Sequence, residues 1–171
     1  MLFFLKLFKK IIVMFQSDIS ADQIAWGFAL GAVLGLVPNV FVKTVMFVVI
    51  MMFRVNLTSA LLAASFFAVI GFAIDPVLDK IGYICLVDIS FLKSFYTWLY
   101  NLPLVPFTKF NNTVVMGSLA AGIILLAPNA VLAKKMLVYY RANYRDKVSQ
   151  WKIMKLLGAV INTAKIINKV G

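Results

Sequence analysis

Residues 55–74 read VNLTSALLAASFFAVIGFAI, and residues 111–133 read NNTVVMGSLAAGIILLAPNAVLA. Neither stretch holds a charged side chain. Crossing the hydrocarbon core of a bilayer takes about 20 mostly apolar residues, and both segments meet that length. A third charge-free stretch, residues 23–42, lies upstream, followed by a shorter one, 44–53, set off by Lys43 and Arg54. The pattern predicts an all-α polytopic helical membrane protein made of a short Gly-rich helical hairpin, two full spans and amphipathic interfacial helices.

Composition supports this and removes several chemistries. Apolar residues make up 63% of the 171 residues, and the mean hydropathy is +0.97, well above a soluble domain. The length leaves room for a single membrane domain, 1–171. Histidine and glutamate are absent, and the six acids are Asp18, Asp22, Asp75, Asp79, Asp88 and Asp146. Histidine is the usual base and metal ligand near neutral pH, and glutamate is the next candidate base. No catalytic residue, metal site or cofactor is therefore expected, and the chain is read as not an enzyme. Cys85 is the only cysteine, which rules out an intrachain disulfide.

Outward from the spans, residues 1–16 (MLFFLKLFKKIIVMFQ) put Leu2, Leu5, Phe8, Ile12 and Phe15 at spacings of three and four. Lys6, Lys9 and Lys10 interrupt them on the other face. This predicts an interfacial amphipathic helix that is retained, since no uninterrupted apolar run or small-residue cleavage site is present. Ser20 and Gln23 fit a capping box. Residues 22–53 then read as a short helical hairpin: one helix ends before Pro38, and a second runs from about Val40 to Phe53. Each is about 20 Å long, against a bilayer core of about 30 Å. The hairpin is either re-entrant or a pair of short spans in a thinned membrane, and the re-entrant form is the favoured reading.

Asn56 is expected to cap the span 56–74, with Asp75-Pro76 ending it. Residues 77–110 concentrate Phe91, Phe95, Tyr96, Trp98, Tyr100, Phe107 and Phe110 and read as an outer interfacial cap, since Tyr and Trp gather where a ring has one dry and one wet end. Residues 111–133 form the last span, with a kink at Pro128. Residues 134–171 are a basic amphipathic tail in which Val148, Trp151, Met154, Leu157 and Ile161 recur at helical spacing. That pattern suits anionic lipid, so nucleic acid is not expected as a partner. Basic clusters at Lys6, Lys9 and Lys10 and at Lys134, Lys135, Arg141 and Arg145 place both termini in the cytoplasm by the positive-inside rule.

Gly27, Gly31 and Gly35 repeat every four residues, a small-residue face that lets helices approach closely. Its expected partner is the hairpin's second helix or the 57–74 helix. Ala29, on a different face, is expected to tolerate leucine better. Lys43 is a charge inside an apolar block, either snorkelling or meeting a phosphate or an aspartate. Lys43, Arg54, Asn56, Asp75, Asn111 and Asn112 are the candidate polar or headgroup contacts.

Trp26-Gly27-Phe28-Ala29-Leu30-Gly31, Gly35-Leu36-Val37-Pro38, Arg54-Val55-Asn56-Leu57 and Asp75-Pro76 together resemble a bacterial integral membrane family, domain of unknown function two-zero-six-two. Phe110-Asn111-Asn112-Thr113-Val114-Val115 resembles its short subgroup. The likeness covers roughly residues 20–135. It implies a bacterial inner-membrane location and carries over no catalytic residue. The function expected from residues and resemblance together is a non-enzymatic membrane subunit or anchor for an envelope assembly, one that handles lipid. The alternative is a small, self-contained oligomeric transporter or channel. Membrane lipids, an envelope protein or a second copy are the expected partners.

Overall fold

The computed structural model describes Ile11, Met14, Phe15 and residues 17–145. The amphipathic readings of 1–16 and of the tail beyond Arg145 fall almost entirely outside those residues. The chain divides into two compact units, 19–134 and the terminal segments 1–18 with 135–171. Every regular element among the described residues is helical: α1 (Ala21–Leu36), α2 (Val40–Met52), α3 (Leu57–Tyr83), α4 (Lys93–Tyr100) and α5 (Thr113–Asn143).

Each helix start has a local cause. The Ser20 hydroxyl accepts from the Gln23 amide at 3.3 Å, opening α1. The Asn39 side chain accepts from Val42 N at 2.9 Å, Asn56 from Ser59 N at 2.8 Å, and Asn112 from Val115 N at 3.1 Å. Each of these asparagines satisfies a backbone donor that the first turn leaves open. Val37 and Pro38 end α1 in extended backbone.

In unit 19–134, α1 is the innermost element. Ala29 and Ala32 are fully buried, and its buried residues point in every direction around the helix. The glycine face lies on α3, not on α2. A Cβ added to Gly27 would sit 2.5 Å from the Asn56 carbonyl oxygen, and one on Gly31 would strike the Ala60 backbone, with the carbonyl carbon at 2.7 Å. One on Gly35 would come within 2.9 Å of the Phe67 Cβ. Contacts rise in step along both chains, from Gly27 at Asn56–Ser59 to Leu36 at Gly71, so α1 and α3 run parallel. Two hydrogen bonds close their lower ends: Asn56 N donates to the Gln23 carbonyl at 2.9 Å, and the buried Ser59 hydroxyl donates to the Ile24 carbonyl at 2.9 Å.

α2 returns beside them through one narrow stripe. Val42 joins a buried cluster with Val37 and Val115, and Ile50 joins one with Leu34 and Ala60. Its outward side is mostly apolar, including Val40, Val45, Val48, Met51 and Met52.

Two boundaries differ from the sequence reading. Asp75-Pro76 does not end a helix. α3 continues through Pro76 to Tyr83, and a π-helical turn follows at Ile84–Asp88. Proline removes one backbone bond, which membrane-type helices tolerate when neighbours hold the chain in place. Here Leu78 and Gly82 lock against α5: a Cβ on Gly82 would meet the Thr113 carbonyl, and one on Gly117 would meet the Leu78 carbonyl. The cap therefore starts at Ser90 instead of residue 77. It contains α4 and single 3-10 turns at Ser90–Leu92 and Val105–Thr108. Likewise α5 passes Pro128 and Ala133 and runs to Asn143. Lysines 134 and 135 interrupt the apolar pattern without breaking the helix, because lysine is a good helix former.

The long helices α3, with its π turn, and α5 are long and apolar enough to cross a membrane. Only 22% and 28% of their most apolar stretches are buried, unlike the core helix of a soluble protein. What they expose is apolar: Phe66, Val69 and Phe72 on α3, and Ile123, Ile124 and Leu132 on α5. In the unit of terminal segments, Arg141 donates to the Phe15 carbonyl at 3.2 Å and the Ser17 carbonyl at 2.8 Å. Arg145 pairs with Asp18 at 2.7 Å, and Phe15 meets Tyr140 edge-on at 5.1 Å.

Gly31→Leu is expected to lower the thermal stability of the detergent-solubilised protein by an amount equivalent to at least 1–3 kcal/mol, the usual range for overpacking. Ala29→Leu, expected from its face to be milder, should be comparably damaging, because Ala29 itself is fully buried and α1 is enclosed from there to Leu36. Trp26→Leu, on the exposed part of α1, should melt near the parent. Equal melting temperatures for all three variants and the parent would show that the glycine contact does not hold the bundle together.

Candidate functional site

A groove of about 650 Å³ opens beside the α1–α2 turn. Its floor is Leu34 and Gly35 of α1. One wall is Val40, Lys43, Thr44 and Phe47 of α2, and the other is Leu61, Ala64 and Ser65 of α3. The groove lies where the glycine contact draws α1 onto α3, while α2 packs on the bundle through Val42, Met46, Phe47 and Ile50. Small residues at Gly35, Ala64 and Ser65 leave the space open.

Among the described residues, Lys43 is the only charged one lining this groove. It lies one turn beyond the Asn39 cap, and its amide donates to the Asn39 carbonyl at 3.0 Å. The side chain is half-buried. Among the described residues the ion pairs are Lys134–Asp22 and Arg145–Asp18, and no acid meets the Lys43 ammonium. No aspartate partner for it is seen among the described residues. The Thr44 and Ser65 hydroxyls donate to the Val40 and Leu61 carbonyls of their own helices, at 3.0 and 2.9 Å. Their oxygens can still accept. Chemically the groove offers an apolar trough with one cationic end.

The other sequence candidates separate from it. Gly27, Gly31 and Gly35 form the helix contact described above. Arg54 is exposed in the bend between α2 and α3. Asn56 and Asn112 are engaged as helix caps. Asp75 does not join Asn111 and Asn112. It is Asp79 that accepts a hydrogen bond from the Thr113 hydroxyl, because the uninterrupted helix carries Asp79 one turn further on. Asn111 lines a second cavity, in the cap, with Lys93, Tyr96, Tyr100, Asn101 and Phe110. There the Tyr96 hydroxyl donates to the Cys85 carbonyl at 3.2 Å. Burial raises the Tyr96 phenol above its ordinary value, and the nearby Cys85 adds to that, so the ring remains a neutral donor. Ser59, Gly82 and Gly117 went unremarked in the sequence; the signal for the last two was a glycine on each of two span-length helices. Among the described residues, no three His, Cys, Asp or Glu gather as a metal site.

The chain is similar to an uncharacterised protein of Treponema pallidum (strain Nichols), 29% identical over 138 residues, which are 79% of this chain and 83% of that protein. No family model matches the chain. No solved structure matches it either.

Because no acid pairs with Lys43 among the described residues, Lys43→Met is expected to leave thermal stability in detergent unchanged or slightly raised. Lys134→Met removes an exposed ion pair and should cost no more than about 1 kcal/mol. A large loss of stability in Lys43→Met would mean that the lysine holds the fold together.

Proposed function

We propose that this chain is a non-enzymatic subunit or anchor in the bacterial inner membrane, serving an envelope assembly that handles lipid. The observation that carries the reading is the Lys43 groove: an apolar trough on a helical bundle whose outer surface is itself apolar, with a cation at its end that no acid among the described residues meets. Such a feature fits an amphiphile better than a polar solute. Kinship with the family of unknown function noted above is part of the same proposal. It rests on the Gly-Pro, Arg-x-Asn and Asp-Pro motifs.

The topology that goes with this reading has four crossings, with both termini cytoplasmic. Between Thr113 and Lys134, α5 rises about 31 Å, and between Asn56 and Asp75, α3 rises about 28 Å, close to a bilayer core of about 30 Å. α1 runs the same course. Asp22 pairs with Lys134 at 2.7 Å at one end, and Val37 packs on Val115 at the other. The α1–α2 turn also reaches the cap, where the Asn39 amide donates to the Phe107 carbonyl at 3.3 Å. α2 then returns to the level of Gln23 through Asn56. These contacts favour two short spans over the re-entrant hairpin that helix length alone favoured. The shared position of Phe15, Ser17 and Arg141 supports termini on one side.

The topology is tested by Val40→Cys in a Cys85→Ser background, since Val40 is 75% exposed. A membrane-impermeant maleimide should label it from the periplasm in intact cells. Labelling only after the inner membrane is opened would restore the re-entrant hairpin. For the function, purification in gentle detergent should bring down a stoichiometric envelope protein. A clean homo-oligomer with no such protein would favour the small transporter instead.

A further inference from the structure

We infer that the groove between α2 and α3 is a binding site for one anionic phospholipid of the outer leaflet, with Lys43 meeting its phosphate and an acyl chain lying on Leu34, Gly35, Leu61 and Ala64. The inference rests on the membrane setting of the reading above and names the ligand of its site. It does not require the envelope partner.

Three features select this occupant. The first is charge: the Lys43 ammonium lines the groove with no acid beside it among the described residues. An anionic headgroup supplies the missing charge. A zwitterionic headgroup brings its own ammonium toward Lys43, and no nearby carboxylate accepts it. The second is depth. Lys43 lies one turn from the Pro38–Asn39 turn, at the level of the cap, and the groove extends from it toward Leu61. A phospholipid entering from the leaflet on that side already has its phosphate near the lysine and its chains pointing along the trough. The third is the lining. Apart from Lys43 and two hydroxyls that donate within their own helices, the walls are apolar or glycine. A hydrocarbon chain covers such apolar walls and gains dispersion contacts along them, which water or a free anion does not. Lysine acts on phosphate as a point charge, so arginine can replace it and methionine cannot.

The test uses the full-length protein in nanodiscs containing a photoactivatable phosphatidylglycerol, with cross-links mapped by peptide. Mapping separates this site from the basic tail, which also attracts anionic lipid. The parent and Lys43→Arg should cross-link in peptides covering 40–47 and 61–65. Lys43→Met should show about fivefold less there, the effect of one lysine near anionic lipid, and match the parent's cross-linking to a phosphatidylcholine analogue. Ser65→Phe keeps the charge and fills the trough, so it should lose the cross-link too. The inference is overturned if folded Lys43→Met cross-links like the parent. It is also overturned if Lys43→Arg falls with Lys43→Met, if Ser65→Phe has no effect, or if excess inorganic phosphate displaces the lipid. Should Lys43→Met fail to fold, Ser65→Phe decides alone. Lack of an envelope partner leaves all these results readable, so the two proposals fail separately.

Discussion

Everything in unit 19–134 depends on the backbone-to-backbone contact between α1 and α3. At Gly27, Gly31 and Gly35 there is no room for a methyl group, because carbonyls of Asn56, Ala60 and Ala64 occupy the place where a Cβ would stand. In water, burying apolar area would hold two such helices together. Between lipid chains that force is nearly absent, and close packing and hydrogen bonds take over. Small residues make both available here. Dispersion contacts form along the whole face, and the approach is close enough for Asn56 N and the Ser59 hydroxyl to reach carbonyls of the neighbouring helix.

The same device recurs where α3 crosses α5. Gly82 and Gly117 each fit under a carbonyl of the other helix, with Asp79 and Thr113 hydrogen-bonded beside them. Two glycine contacts thus fasten α3 at two levels, one to α1 and one to α5. α2 has no such contact. It carries no glycine and is held by the side chains of Val42, Met46, Phe47 and Ile50, with Phe41 against Phe107 at its start. That difference in packing leaves the groove, and it exposes the apolar outer side of α2. The candidate site is therefore a by-product of how unequally the four helices are fastened.

Much of this was legible in the residues. Charge-free stretches gave the helix count, Pro38 the end of α1, Asn56 the start of α3, and the four-residue glycine spacing the face that packs. The sequence did not say which helix the glycines would meet, because any glycine face accepts any partner backbone. Asp75-Pro76 misled for a related reason. Local chemistry favours a break there, and only the Leu78–Gly82 contact with α5, distant in sequence, shows why the helix persists. The burial of Ala29 was equally illegible, since periodicity describes a helix with one inner face and α1 is enclosed from there to Leu36. Lys43 was recognisable as an anomaly. That no acid among the described residues faces it, and that a trough runs from it, became visible only in three dimensions.

The central claim is that α1 and α2 pass the full distance alongside α3 and α5, joined to them at both ends. Cysteine pairs treated in native membranes with a short bifunctional thiol reagent test it most directly, in a Cys85→Ser background. Asp22→Cys with Lys134→Cys reports one end, and Val42→Cys with Val115→Cys reports the other. The account predicts intramolecular cross-linking of both pairs in high yield. Cross-linking at Asp22 and Lys134 with none at Val42 and Val115 would contradict it, since the hairpin would then turn back short of the level where α5 begins.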